Sequence, residues 1–333
     1  MRILFAGSPA IAVPSLRALS ELEMEGKAVI LTGLLTNPDS RRGRHGQLEP
    51  TDVSAAASAL DQIRLEKGLR PIIQLKCEKL DTKARNEVAG LSPDLLVSFA
   101  YGRIFGPRFL ALFPLGGINI HPSLLPKYRG ASPIPAVILA REKETGVCIQ
   151  RLAEEMDAGE ILTMERFALS GRETTFSLSE TVSQKAAILL RELLPDFAVK
   201  AAAARPQEGE VTYCSQVEKE AGLIDWNKSA IEIETQIRAY TPWPLSFTRL
   251  GKETLYILEA QSPESYNETF PPERLTWGEI PGTVLAIDKK LGILIQTGDG
   301  ILIVTRLQWQ AKKALNWKEF SNGVRDFVGS KLG

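Results

Sequence analysis

"GINIHPSLLPKYRGASPI" (residues 117–134) is where an apolar strand gives way to polar chemistry. Ile118 and Ile120 alternate with Asn119 and His121. A two-residue period puts Asn119 and His121 on one face of an extended segment, roughly 7 Å apart along it. Pro122 bars easy continuation of the strand. The polar pair therefore stands at a carboxyl end, where open α/β sheets place their ligands. An amide NH₂ beside an imidazolium offers two donors to a developing oxyanion, which suits acyl transfer. Seen alone, the pair serves equally as a strand cap satisfying local backbone groups.

Working outward, four more short apolar runs read as strands: 2–7, 28–36, 94–100 and 146–152. Helix-like stretches at 14–25, 53–68 and 133–144 lie between them. That alternation predicts an α/β domain with a largely parallel sheet. A longer helix is expected from Ser177 to Ala204, opened by Ser177-x-x-Glu180 as a capping box. It ends in "ARPQEGE" (204–210), whose Pro206 and Gly209 suit a linker. Beyond it, "SFTRL", "ETLYILEA", "PGTVLAI", "LGILIQTG" and "GILIVTRLQ" are short strands split by turns, and they predict a small antiparallel barrel. The helix 231–240 precedes them.

Composition narrows the function classes. The 333 residues suggest two domains. Lys plus Arg equals Asp plus Glu at 40 each, so any polyanion site must be a local patch. Three scattered cysteines, Cys77, Cys148 and Cys214, fit reduced thiols. No Cys/His spacing suits zinc, and no apolar run approaches the roughly 20 residues of a spanning helix. A cytoplasmic, metal-free protein without a membrane segment is expected. The first strand leads into "AGSPAIAVPSL" (6–16), which keeps one glycine of the three that a dinucleotide phosphate loop needs, so NAD or FAD is not expected.

In "EEMDAGEIL" (154–162), Asp157 follows a strand and precedes a tight Ala-Gly turn. It can accept from His121, fix its tautomer and favour its charged form. As an isolated Asp-x-Gly it reads as a turn residue. Taken together, Asn119, His121, "SLLPKYRG" (123–130) and Asp157 resemble the folate-dependent formyltransferase family. "GLIDWNKSAIEIETQIRAYTPWP" (222–244), "PGTVLAID" and "LQWQAKKALNWKEFSNG" (307–323) extend the likeness over nearly the full length, towards the branch acting on initiator tRNA.

The resemblance implies a Rossmann-like catalytic domain over 1–205, a linker at 206–210 and an OB-like, tRNA-binding β-barrel over 211–333. It implies formyl transfer from 10-formyltetrahydrofolate to the α-amino group of methionine on initiator tRNA, by a monomer. Asn119 and His121 would hold the oxyanion, and Asp157 would orient His121 and relay a proton. Ser123, Leu124, Leu125 and Pro126 would line the folate, with backbone near "VSFAYGRI" (97–104) opposite. Arg129 reads either as a loop anchor or as a substrate contact. The segment "NPDSRRGRHGQLEP" (37–50) would enter the acceptor stem through Arg41, Arg42 and Arg44. Gly46 and Gln47 replace the family's lysine pair there.

Residues 211–333 carry 14 basic against 15 acidic side chains, so a tRNA surface there needs a local cluster such as Lys289, Lys290, Arg306, Lys312 and Lys313. Trp243, between two prolines, reads as junction packing, while Trp309 and Trp317 stay open. Two other readings compete. One is a formyltransferase for a small amine, such as a sugar nucleotide or glycinamide ribonucleotide. The other is a non-catalytic folate or RNA binder, which would not need Asn119, His121 and Asp157 together.

Overall fold

The run RILFAG forms strand β1 (Arg2–Gly7), buried from Ile3 onward, because a parallel strand covered on both faces can be apolar throughout. The computed structural model describes residues 1–42, 46–263 and 280–333. It divides into one unit of Met1–Pro133, Glu144–Ala168 and Ser179–Ser215, and a second of Ile134–Lys143, Leu169–Leu178 and Gln216–Gly333.

In the first unit β1 is joined by β2 (Ile30–Thr36), the hairpin β3 (Ser40–Arg42) and β4 (Gln47–Glu49), β5 (Gln74–Lys76), β6 (Leu95–Phe99) and β7 (Gly117–His121). Then come β8 (Arg129–Gly130), β9 (Glu144–Arg151), β10 (Ile161–Ala168) and β11 (Tyr213–Cys214). The main sheet has the order β10-β9-β7-β6-β1-β2-β5. Pairs from β5 to β7 are parallel, while β9 runs antiparallel to both β7 and β10. The expected parallel sheet is present, with an antiparallel margin beyond β7.

Helices α1 (Val13–Met24), α2 (Asp52–Glu66), α3 (Thr82–Gly90) and α4 (Pro107–Leu110) fall between these strands. Thr51 caps α2 by accepting from the Ser54 amide, and Asp81 caps α3 from Ala84. Helix α5 (Pro133–Leu139) stops five residues short of the expected Glu144, with Arg141 at φ 52°. The long helix is divided into α6 (Thr175–Leu193), a 3₁₀ turn holding Pro195, and α7 (Phe197–Ala202). Its cap also lies earlier than expected. Thr174 and Ser177 exchange hydroxyl–amide bonds at 3.1 Å each, so Ser177 is the third helical residue rather than the cap.

The second unit is antiparallel. After α8 (Ala230–Ala239) come β12 (Ser246–Leu250), β13 (Glu253–Gln261), β14 (Val284–Asp288), β15 (Gly292–Gln296), β16 (Ile301–Trp309), β17 (Leu315–Asn316) and α9 (Trp317–Gly323). The strand order is β12-β13-β16-β15-β14, with β17 also on β16. Among the described residues this path begins at β12 and ends at β14. Its core gathers Trp226, Ile233, Ile237, Leu255, Ile257, Ile295, Leu302 and Phe320. Trp309 and Trp317 pack partly buried against that core. Trp243 is 57% exposed. Within the expected basic cluster, Arg306 is paired with Glu259 at 3.1 Å. No helix among the described residues is long and apolar enough to cross a membrane.

Candidate active site

Strand register builds the site. Antiparallel pairing of β7 with β9 sets Asn119 opposite Gln150 and His121 opposite Cys148. Alternation then gathers these four side chains on one face of the sheet. Asp157 arrives from the turn joining β9 to β10. It holds φ at 53°, a left-handed conformation that Asp tolerates better than most residues.

Two of the three sequence-predicted residues, Asn119 and His121, converge on the carboxylate of the third, Asp157. Asp157 Oδ1 accepts from Asn119 Nδ2 at 3.3 Å and from Gln150 Nε2 at 2.9 Å. Asp157 Oδ2 accepts from the Gly130 amide at 2.9 Å and faces His121 Nδ1 at 3.5 Å. His121 Nε2 lies 2.8 Å from the Tyr128 carbonyl. A carbonyl can only accept, so Nε2 carries the hydrogen. In the neutral imidazole Nδ1 then carries the lone pair, and it stands 3.5 Å from a carboxylate oxygen. Between these two atoms there is room for one more proton.

Burial pushes the His121 pKa below the usual imidazole value, outweighing the opposite pulls of Asp157 and the Tyr128 carbonyl. His121 is only 3% exposed, and desolvation disfavours the cation. Burial therefore favours the neutral ring, while the Asp157 carboxylate pulls towards the charged form expected from the sequence. Both ring nitrogens also face groups within the protein, while Asn119 is half-buried.

The loop after β7 holds itself rigidly. Ser123 Oγ donates to the Lys127 carbonyl at 2.7 Å, and the Cys148 thiol donates to the Ser123 carbonyl at 3.0 Å. Ser123, Leu125 and Pro126 are buried, and among the four expected folate-lining residues only Leu124 is half-exposed. Any ligand here would meet Leu124 and backbone. Burial raises the Cys148 thiol to about 12, which removes it as a nucleophile at neutral pH. Arg129 resolves as an anchor: it is buried and bonded to Gln207 Oε1 at 2.8 and 3.1 Å and to Glu155 at 3.1 Å.

Gly159 is required by close packing. A Cβ there would run into the Arg151 carbonyl, whose own amide is bonded to Glu160. Gly159→Ala is expected to destabilise the protein by about 1–3 kcal/mol through forced backbone movement, read as a shift in the denaturant midpoint. Because Asp157 lies two residues away, activity should fall with it.

Of the expected RNA-contacting arginines, Arg41 is exposed on β3, opposite Leu48 of β4 in the register. Arg42 closes that strand, while Arg44 lies outside the described residues. The expected loop is thus partly a hairpin. Two side chains bonded to Asp157 were not among the residues expected from the sequence: Gln150 and Gln207. The signal for Gln150 was available, as it interrupts the apolar "GVCIQRL" in phase with Cys148. No group of His, Cys, Asp and Glu among the described residues could hold a metal ion.

Residues 1–194 match the formyl transferase family model, and 216–325 match the formyl transferase C-terminal domain model. The chain is 48% identical to a methionyl-tRNA formyltransferase of Treponema denticola, over 98% of each chain. It is 36% identical to one of Borrelia recurrentis, over 99% of each. Among solved structures, HypX from Aquifex aeolicus in complex with tetrahydrofolic acid shares the fold at a TM-score of 0.61 and 18% identity, covering 98% of this chain and 48% of that one. A methionyl-tRNA formyltransferase from Clostridium thermocellum matches at a TM-score of 0.53 and 17% identity, over 80% of this chain and 95% of that one.

Proposed function

The chain belongs to the formyl transferase family, and from that membership we propose that it moves a formyl group from 10-formyltetrahydrofolate to the α-amino group of methionine on initiator tRNA. The acceptor rests on full-length likeness to relatives bearing that activity in their names. The chemistry rests on one observation: Asn119, Gln150 and the Gly130 amide donate to the Asp157 carboxylate, and His121 Nδ1 faces it at 3.5 Å.

In the reaction the amine nitrogen attacks the formyl carbon, and the carbonyl electrons move onto oxygen. Asn119 donates its second amide hydrogen to that oxyanion, a contribution of about 3 kcal/mol. The attacking amine must lose a proton, and the leaving folate nitrogen must gain one. The His121–Asp157 pair has a place for one proton between Nδ1 and Oδ2, so it accepts from the first and returns to the second. His121 acts through Asp157, since its Nε2 is held by the Tyr128 carbonyl. Leu124 and the backbone of Ser123, Leu125 and Pro126 form one wall for the pterin, and the turn after β6 forms the other. The enzyme works as a cytoplasmic monomer, with 1–205 catalytic, 206–210 joining and 211–333 contacting tRNA.

Formylation of charged initiator tRNA, measured beside an amino-sugar nucleotide and glycinamide ribonucleotide, tests the acceptor. Turnover of the small amines alone would refute this reading. The acceptor stem is assigned to the segment of β3 and β4, with Arg41, Arg42 and Arg44 as its basic groups. Replacing Arg41 and Arg42 together by Ala is expected to raise KM for charged tRNA about tenfold at low salt. The slope of log affinity against log salt should flatten by about one for each phosphate no longer neutralised. The kcat at saturating tRNA should hold.

A further inference from the structure

Asp157 belongs to no strand, so no ladder fixes it. Part of what does lies fifty residues downstream. Arg205 is bridged to Ile161 at the head of β10, and β11 pairs with β8 beside the site. Between these anchors, residues 206–212 pass the Asp157 turn. Gln207 Nε2 donates to the Asp157 carbonyl at 2.7 Å, the Gly159 carbonyl at 2.8 Å and Gln150 Oε1 at 3.1 Å. Its Oε1 accepts from the Arg129 guanidinium.

The orientation of both amides follows from chemistry. A guanidinium only donates, so Gln207 must turn its oxygen to Arg129 and its NH₂ to Gln150 and the turn. Gln150 must then accept on Oε1, which aims its own NH₂ at Asp157 Oδ1. Each bond polarises the next. A buried, permanently charged arginine is thus connected through two amides to the carboxylate.

We propose that Gln207 and Gln150 form an amide relay through which Arg129 keeps a donor on Asp157 Oδ1, leaving Oδ2 to share its proton with His121. Gln207 is a positioning residue, and the segment joining the two family-model regions is part of the machinery of the site. The inference rests on the catalytic reading of Asp157 given above. The charged and titratable neighbours of the pair are Arg129 on β8, Glu155 on the same turn, Cys148 on β9, and Tyr213 and Cys214 on β11.

The experiment reads His121 directly. The chain has two histidines, so ¹⁵N-histidine resonances of the full protein can be assigned with a His45→Gln control and titrated without substrate. Gln207→Glu keeps the acceptor for Arg129 but removes both donor hydrogens and adds negative charge. It is expected to raise the His121 titration midpoint by about half a pH unit or more. Gln207→Ala should lower kcat about tenfold, the rate equivalent of one missing bond to a charged group, with both KM values unchanged. Gln150→Ala should produce a similar loss, and the double variant should add little to either. The relay is overturned by an unmoved His121 midpoint, even with reduced turnover, or by losses that multiply independently. Gln207→Ala and Gln150→Ala carry the test if Gln207→Glu does not fold. A wild-type protein inactive on charged tRNA would refute the acceptor reading instead, and the titration would still report on the relay.

Discussion

Exchanging Asp157 for Asn should lower kcat by about 10³-fold, within the range ascribed to a positioned acid–base group, and leave KM for the formyl donor near its wild-type value. The carboxylate accepts on both oxygens, from Asn119 and Gln150 on one and from Gly130 on the other. Asn keeps one acceptor but turns an NH₂ towards an existing donor. Stability should therefore drop by about 1–3 kcal/mol, the cost of one unsatisfied buried group. Steady-state kinetics beside a thermal melt separates the two effects. A kcat within threefold of wild type would take Asp157 out of the proton path.

The pH profile of the wild type carries the same argument. Burial depresses His121, so protonation that fills the shared site and stops the base occurs below the usual imidazole value of about 6.5. The acidic limb of kcat should fall below that pH. For stability the sign is the same: below about 6.5 the unfolded chain takes up a proton that the folded site resists, so stability declines as pH falls. Asp157→Asn should abolish or displace the limb.

Replacing Asn119 by Ala is the second large effect expected. It removes the amide that faces the oxyanion, and kcat should fall by about 10²–10³-fold, or 2.7–4 kcal/mol. Asp157 should stay in place, since Gln150 and Gly130 still hold both oxygens. Stability should change by no more than about 1 kcal/mol, because Asn119 is half-buried and accessible to water. Unchanged kcat with a raised donor KM would make Asn119 a binding residue only.

The five expected strands of the first unit were legible because each is an apolar run, and their ends lie within two residues or so of the observed ones. Asn119 and His121 stood out as candidates for a related reason: polar residues in phase at the end of such a run are costly unless used. Strand β10 was missed because it is half-exposed, and its "ILTMERFA" lacks clean alternation. The early end of α5 and the division at Pro195 show helix boundaries decided by local backbone rather than by periodicity.

Read alone, the amino-acid order pointed to two units of different sheet type, to the end of β7 as a place where polar side chains gather, and to the family motifs. What only tertiary structure decided is the state of that chemistry. His121 is buried once β7 is paired with β9, and the downward pull on its pKa follows from the lost solvation. The bonds on Asp157 join residues from 119 to 207, set by strand register and by a returning segment. Periodicity reports which face a side chain takes along one element, whereas charge and proton position depend on everything packed around it.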